Sequence, residues 1–167
     1  MQQTIREKVA AMAFRLEREG RLGQEGRFYQ HGTTTVLGHS LNVAAMSLCW
    51  ARKLRLRADE TSLLRGALLH DYFLYDWHEK NAGHAWHGFH HPARALRNAR
   101  EDFRLTPIEE EIILRHMFPL TFTPPKCREA WLVCLADKYC ALAETLAPRL
   151  RRLFPSPSGR GKGRTAH

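Results

Sequence analysis

His70 and Asp71 stand side by side at the end of the apolar run Leu63-Leu64-Arg65-Gly66-Ala67-Leu68-Leu69, so a nitrogen and an oxygen ligand arrive together where a helix stops. His39 lies upstream of them, and His91, His116 and Asp137 lie downstream. Imidazole and carboxylate suit iron, manganese, zinc or magnesium, and a nitrogen-rich set turns the balance away from magnesium alone. The ligand count favours two ions, because a carboxylate such as Asp71 has two oxygens and can bridge cations ~3.5–4 Å apart. On that reading His39, His70 and Asp137 complete one site and His91 and His116 the other, with positions left for water and substrate. Each residue also has a structural alternative. His39 and His116 could be ordinary polar helix residues, and Asp137 an ion-pair acceptor for Lys138 or an arginine.

Helices must bring these residues together, since apolar positions recur at helical spacing and no segment alternates as a half-buried strand does. The expected fold is all-α, a single compact bundle of about six helices. Residues 4–19 make a first helix, and Gly20, Gly23, Gly26, Gly32 and Gly38 punctuate a loop that approaches the site. Residues 39–56 make the second helix, and Asp59 is the N-cap of a third that delivers His70 and Asp71. Residues 72–90, rich in aromatics and histidines without a period, read as a long irregular connection. His91-Pro92 opens a helix to Phe103, and Thr106-Pro107-Ile108-Glu109 is a capping box with proline at N1 for a helix through His116. Pro119, Pro124 and Pro125 form a turn before the last helix, residues 128–146, whose apolar stripe runs through Trp131, Leu135, Leu142 and Leu146 with Asp137 near its middle.

A chain of 167 residues with 44% hydrophobic composition is enough for one core, placed here at residues 1–150, with a basic, disordered tail at 151–167. The longest wholly apolar stretches, 9–14 and 131–136, are six residues each, far short of the ~20 that cross a bilayer. The charged N-terminus lacks the apolar stretch of a secretory signal, so the cytoplasm is the expected location. Cys49, Cys127, Cys134 and Cys140 form no C-x-x-C pair and read as small buried hydrophobes. The net charge is +9, but Arg149, Arg151, Arg152, Arg160, Lys162 and Arg164 follow Pro148 without an acidic residue, leaving about +3 on the body. No nucleic-acid module accompanies that tail. The expectation is therefore no specific nucleic-acid partner and no membrane partner, with a homo-oligomer left open.

These residues resemble the HD superfamily of metal-dependent phosphohydrolases, whose signature is a histidine, an adjacent His-Asp pair and a distant aspartate on helices. Here these are His39, His70-Asp71 and Asp137. Gly38-His39-Ser40-Leu41-Asn42-Val43-Ala44 looks like the first motif, Ala67-Leu68-Leu69-His70-Asp71 like the second, and Leu135-Ala136-Asp137-Lys138 like the last. The further histidines resemble the six-ligand, two-metal branch, in which one often begins a helix and another closes the next. His91, before Pro92 and Ala95, and His116, after Ile112-Ile113-Leu114-Arg115, fit those places. The resemblance spans residues 31–144. In two respects the chain departs from the pattern. The histidines at 90 and 91 are adjacent, so either is the ligand, and His116 is followed by Met117 where some relatives carry a second histidine.

The resemblance implies two divalent cations per chain, iron or manganese ahead of zinc or magnesium, with Asp71 and His70 as the catalytic pair. A cation-activated water would hydrolyse a small phosphorylated substrate, a nucleotide or phosphoester. Lys80, Arg94, Arg115 and His87 are candidates to bind its phosphate, and Tyr72, Tyr75 and Trp77 either wall a pocket or complete the core. His78 and His84 read either as substrate contacts or as solvated loop residues. Two other activities fit the same residues: a di-iron oxygenase of the same superfamily, and a degenerate nucleotide-binding module.

Overall fold

Local capping chemistry starts most of the helices. In the computed structural model, which describes residues 3–31, 34–74 and 87–153 without the side chains of 30, 31, 87–89 and 147–153, helix α1 spans Ile5–Glu19. Thr4 caps it by accepting from the Glu7 amide at 3.2 Å, and the Glu7 carboxylate accepts from the Thr4 amide at 2.8 Å. Asp59 accepts from the amides of Thr61 and Ser62 and starts α3 at Glu60–Leu69. Thr106 and Glu109 form the second reciprocal box, at the head of α5, Pro107–Arg115. These three starts agree with the sequence.

Elsewhere the boundaries differ, for identifiable reasons. The glycine-rich segment is not simply a loop: it contains a 3-10 turn at Leu22–Arg27 and a short antiparallel ribbon of β1 (Tyr29–His31) and β2 (Thr34–Thr35). Helix α2 runs Val36–Lys53, because Thr35 accepts from the Gly38 amide at 3.1 Å and draws that glycine into the first turn. Helix α4 runs His87–Asp102, so Pro92 lies inside it rather than at its first position. The last helix, α6, extends over Arg128–Leu153. Residues 75–86 and 154–167, which include Tyr75, Trp77, His78, Lys80, His84 and the tail beyond the last helix, lie outside the described residues, as does the side chain of His87.

Six α-helices among the described residues make the fold all-α. Helix α2 packs on α3 and α6, and α5 lies against α3, α4 and α6. The shared core holds Val43 and Leu48 from α2, Leu63, Leu68 and Leu69 from α3, Ile112 and Ile113 from α5, and Val133 and Ala136 from α6. At Gly66 an added Cβ would sit 2.5 Å from Ile112 Cδ1, so the missing side chain is what lets α3 approach α5. The apolar stripe of α6 faces outward: Ala130, Val133, Ala136 and Cys140 turn to the core, while Leu135, Leu142 and Leu146 are exposed. The four cysteines are free, with Cys134 and Cys140 buried and Cys49 and Cys127 half-buried. Among the described residues no helix is long and apolar enough to cross a membrane.

Candidate metal centre

Five helices and one turn deliver the chemistry-bearing residues to a single buried point. His39 lies one turn into α2, His70 caps the C-terminus of α3, and Asp71 follows it. His91 belongs to α4, His116 caps α5, and Asp137 lies in α6. All six side chains are buried. His90 is exposed, so of the adjacent histidines it is His91 that turns inward.

The turn carrying Asp71 is clamped on both sides. Asn98 donates to the carbonyls of Tyr72 and Phe73 at 3.0 Å each. The Tyr72 hydroxyl donates to Asp102 at 2.6 Å and accepts from the Arg21 amide at 2.6 Å, while Arg21 also grips Asp102 at 2.7 Å. Tyr72 therefore belongs to the core. Leu74 ends the turn in the left-handed region, at φ 55°.

One group of donor atoms comprises His39, His70 and Asp137, and a second comprises His70, Asp71 and His116; within each, ligand atoms lie within 4.8 Å of one another. His91 joins the second, its Nε2 standing 2.8 Å from His116 Nε2 and 3.2 Å from Asp71 Oδ1. The two oxygens of Asp71 face different neighbours: Oδ2 lies 3.4 Å from His70 Nε2, and Oδ1 lies 3.4 Å from His116 Nε2. The outer nitrogens are tied back. His70 Nδ1 donates to the Ala67 carbonyl at 2.7 Å and His116 Nδ1 to the Ile113 carbonyl at 2.8 Å, which leaves each Nε2 lone pair aimed inward. His70 Nε2 is fully buried and makes no hydrogen bond. A buried lone pair in that state, among carboxylates and imidazoles, is what a cation would use, so the donor set fits a divalent metal.

His39 is held differently, with Nε2 on Asp137 at 3.0 Å and Nδ1 on Glu144 at 2.9 Å. Burial works against its protonation, but these two carboxylates overcome that and raise it to about 10. Burial opposes ionisation of Asp71 too, yet the imidazoles of His70, His116 and His91 gathered around it hold its carboxyl well below the usual range. Burial, only partly offset by Asp71, lowers His116.

Three participants escape sequence reading. Glu144, which also accepts from Asn42 at 2.9 Å, stands two turns beyond Asp137 on α6, and that i,i+7 spacing was its available signal. Lys138 donates to the His116 carbonyl at 2.7 Å and so ties the end of α5 to α6. Glu25, in the 3-10 turn, is wholly buried, and burial together with the charge of Asp71 raises its carboxyl well above the ordinary value. Nothing in its glycine-rich surroundings distinguishes it from an exposed glutamate. Of the proposed phosphate binders, Arg94 is exposed one turn beyond His91, and Arg115 sits 3.8 Å from Glu111.

A helical bundle that gathers four imidazoles and two carboxylates into its interior defines an α-helical protein equipped to bind divalent cations. The family model of the HD domain matches residues 36–142, well over half of the chain, and the chain belongs to that family, whose members are generally metal-dependent phosphohydrolases. No curated protein and no solved structure matches the chain significantly.

Proposed function

We propose that this protein is a phosphohydrolase with two divalent cations, iron or manganese, acting on a nucleotide or another small phosphoester. The observation that carries this reading is the orientation of Asp71, whose two oxygens face His70 on one side and His91 with His116 on the other. Cations held there would draw the pKa of a bound water towards neutrality and offset the charge that gathers on a phosphoryl group in transfer. His39, His70 and Asp137 would hold one cation, His91 and His116 the other, and Asp71 would bridge them. The backbone carbonyls of Ala67 and Ile113 keep the His70 and His116 rings in the tautomer that such binding needs. Burial of the set keeps competing water away from it. Lys80, Arg94, Arg115 and His87 remain the candidates to receive substrate phosphate, with Lys80 and the side chain of His87 outside the described residues.

The test is elemental analysis of protein purified anaerobically, followed by a phosphoester screen with and without oxygen. About two transition-metal ions per chain and anaerobic release of phosphate or nucleotide support the proposal. Oxygen uptake coupled to an organic substrate would instead assign the site to an oxygenase. A chain that takes up no metal on reconstitution, yet binds nucleotide, would be a binding module.

A further inference from the structure

The outward face of α6 is apolar. Between residues 131 and 146 the exposed positions of this helix are Trp131, Leu135, Tyr139, Leu142 and Leu146, with one alanine and one threonine beside them and no fully exposed charge. Leu135 and Tyr139 are each 52% exposed, Leu142 60% and Leu146 40%, values that make a continuous apolar stripe rather than scattered surface hydrophobes. Tyr139 rests edge-on against Trp50 and Trp131 against Phe118, so the stripe is fixed at its inner edge.

We infer that this stripe pairs antiparallel with the same stripe of a second copy of the chain, forming a two-fold dimer along α6. The spacing Leu135, Tyr139, Leu142, Leu146 is four, three, four, the period of a helix-helix seam. Such a seam is its own complement when one helix is reversed: Leu135 meets Leu146 of the other copy, and Tyr139 meets Leu142, on both sides of one axis. A two-fold interface requires this reciprocity, and it closes without leaving a second sticky face. The direction follows from charge. Arg149, Arg151 and Arg152 continue the helix, and a parallel pair would set the two basic ends side by side, whereas an antiparallel pair sends them to opposite ends. With about half of each side chain open, the seam and its flanks offer on the order of 1,000 Å² over two copies, the lower bound of a specific interface. No charge on the stripe itself selects an acidic or basic partner.

Sedimentation or light scattering of the full chain over a range of concentrations tests this, with Leu135→Lys, Leu146→Glu and the double substitution. Because both leucines are exposed, each single variant should keep its circular dichroism and metal content. The wild type is expected to be dimeric and each single variant monomeric at the same concentration. The double variant should regain the dimer, since each lysine then faces a glutamate of the other copy, and added salt should weaken that regained dimer. A monomeric wild type overturns the inference, as does a dimer that survives either single change. A double variant that stays monomeric overturns the antiparallel register.

Discussion

The two halves of the candidate metal centre solve the problem of a buried imidazole in opposite ways. On the α2–α6 side, His39 has a carboxylate on each nitrogen, Asp137 at 3.0 Å and Glu144 at 2.9 Å, and keeps a proton up to about 10. On the α3–α5 side, His116 gives its outer nitrogen to a backbone carbonyl and turns its inner one toward His91 Nε2 at 2.8 Å, with burial lowering its affinity for a proton. The first half is electrically satisfied as it stands, and a cation entering it must displace a proton. The second offers lone pairs that only a cation or one shared proton can reconcile. Metal binding therefore competes with protons on one side and completes an unfinished polar cluster on the other.

The residue common to both halves should give the largest effect. Asp71→Ala removes the carboxylate that faces both groups and leaves the imidazoles without it, so the two cations proposed for the site and all measurable turnover should be lost. Elemental analysis beside a turnover assay checks this, and unchanged activity in a sample of verified metal content would sink the mechanism. Next, His39→Ala and His116→Ala should each cost about one cation per chain, from different halves. Identical loss of both cations in the two variants would show a single cooperative site and break the comparison.

The residues of this centre were legible as types before they were legible as a place. Thr4, Asp59 and Thr106 announce helix starts because capping is settled within four residues. Gly38 reads as loop punctuation, but one bond from Thr35 places it in a helix, and the start of α2 moves to Val36. Pro92 suits a first helical turn by local rules, and yet α4 begins at His87. Periodicity reveals the α6 stripe without saying which side meets the core. Small residues decide that, because Ala130, Ala136 and Cys140 let α6 lie close against its neighbours while the leucines remain outside. Glu25 acts only through tertiary neighbours, so no local pattern marks it, and Glu144 has only its i,i+7 spacing from Asp137.

Glu144 tests whether the first half depends on its outer carboxylate. Glu144→Gln keeps the shape but removes the charge behind His39, and outer partners of this kind typically contribute 10–100-fold in metal affinity or activity. The affinity of one cation, measured by competition with a chelator, should fall by about that factor while the other cation is unaffected. Gly66→Ala addresses the opposite half. The new methyl group would sit 2.5 Å from Ile112 Cδ1 and 3.0 Å from its Cβ, prising α3 from α5, the two helices that carry His70 and His116. Overpacking of roughly 1–3 kcal/mol outweighs the ~1 kcal/mol that alanine gains over glycine in a helix. Urea unfolding should show a net loss of about 1 kcal/mol, and the cation that depends on His116 should leave first on chelation.

Glu60 supplies the floor against which these effects are read, since it stabilises the fold without touching either half. Arg52 binds it at 2.9 Å and 3.0 Å and Lys8 at 2.6 Å, and bonds from Arg52, then Lys8, lower its carboxyl from 4.5 to about 2. A carboxyl depressed by folding contributes its full stability above the unfolded value and loses it as the pH falls, here from about 4.5 towards about 2. Its side chain is 37% exposed, so solvent screening reduces the contribution to about 1 kcal/mol or less. Glu60→Gln should therefore lower the melting temperature of metal-free protein slightly at pH 7, and the difference from wild type should vanish through that acid window. A gap that persisted unchanged below pH 2 would mean that Glu60 acts by packing rather than charge, and the surface clamp could no longer serve as a purely electrostatic reference for the buried centre.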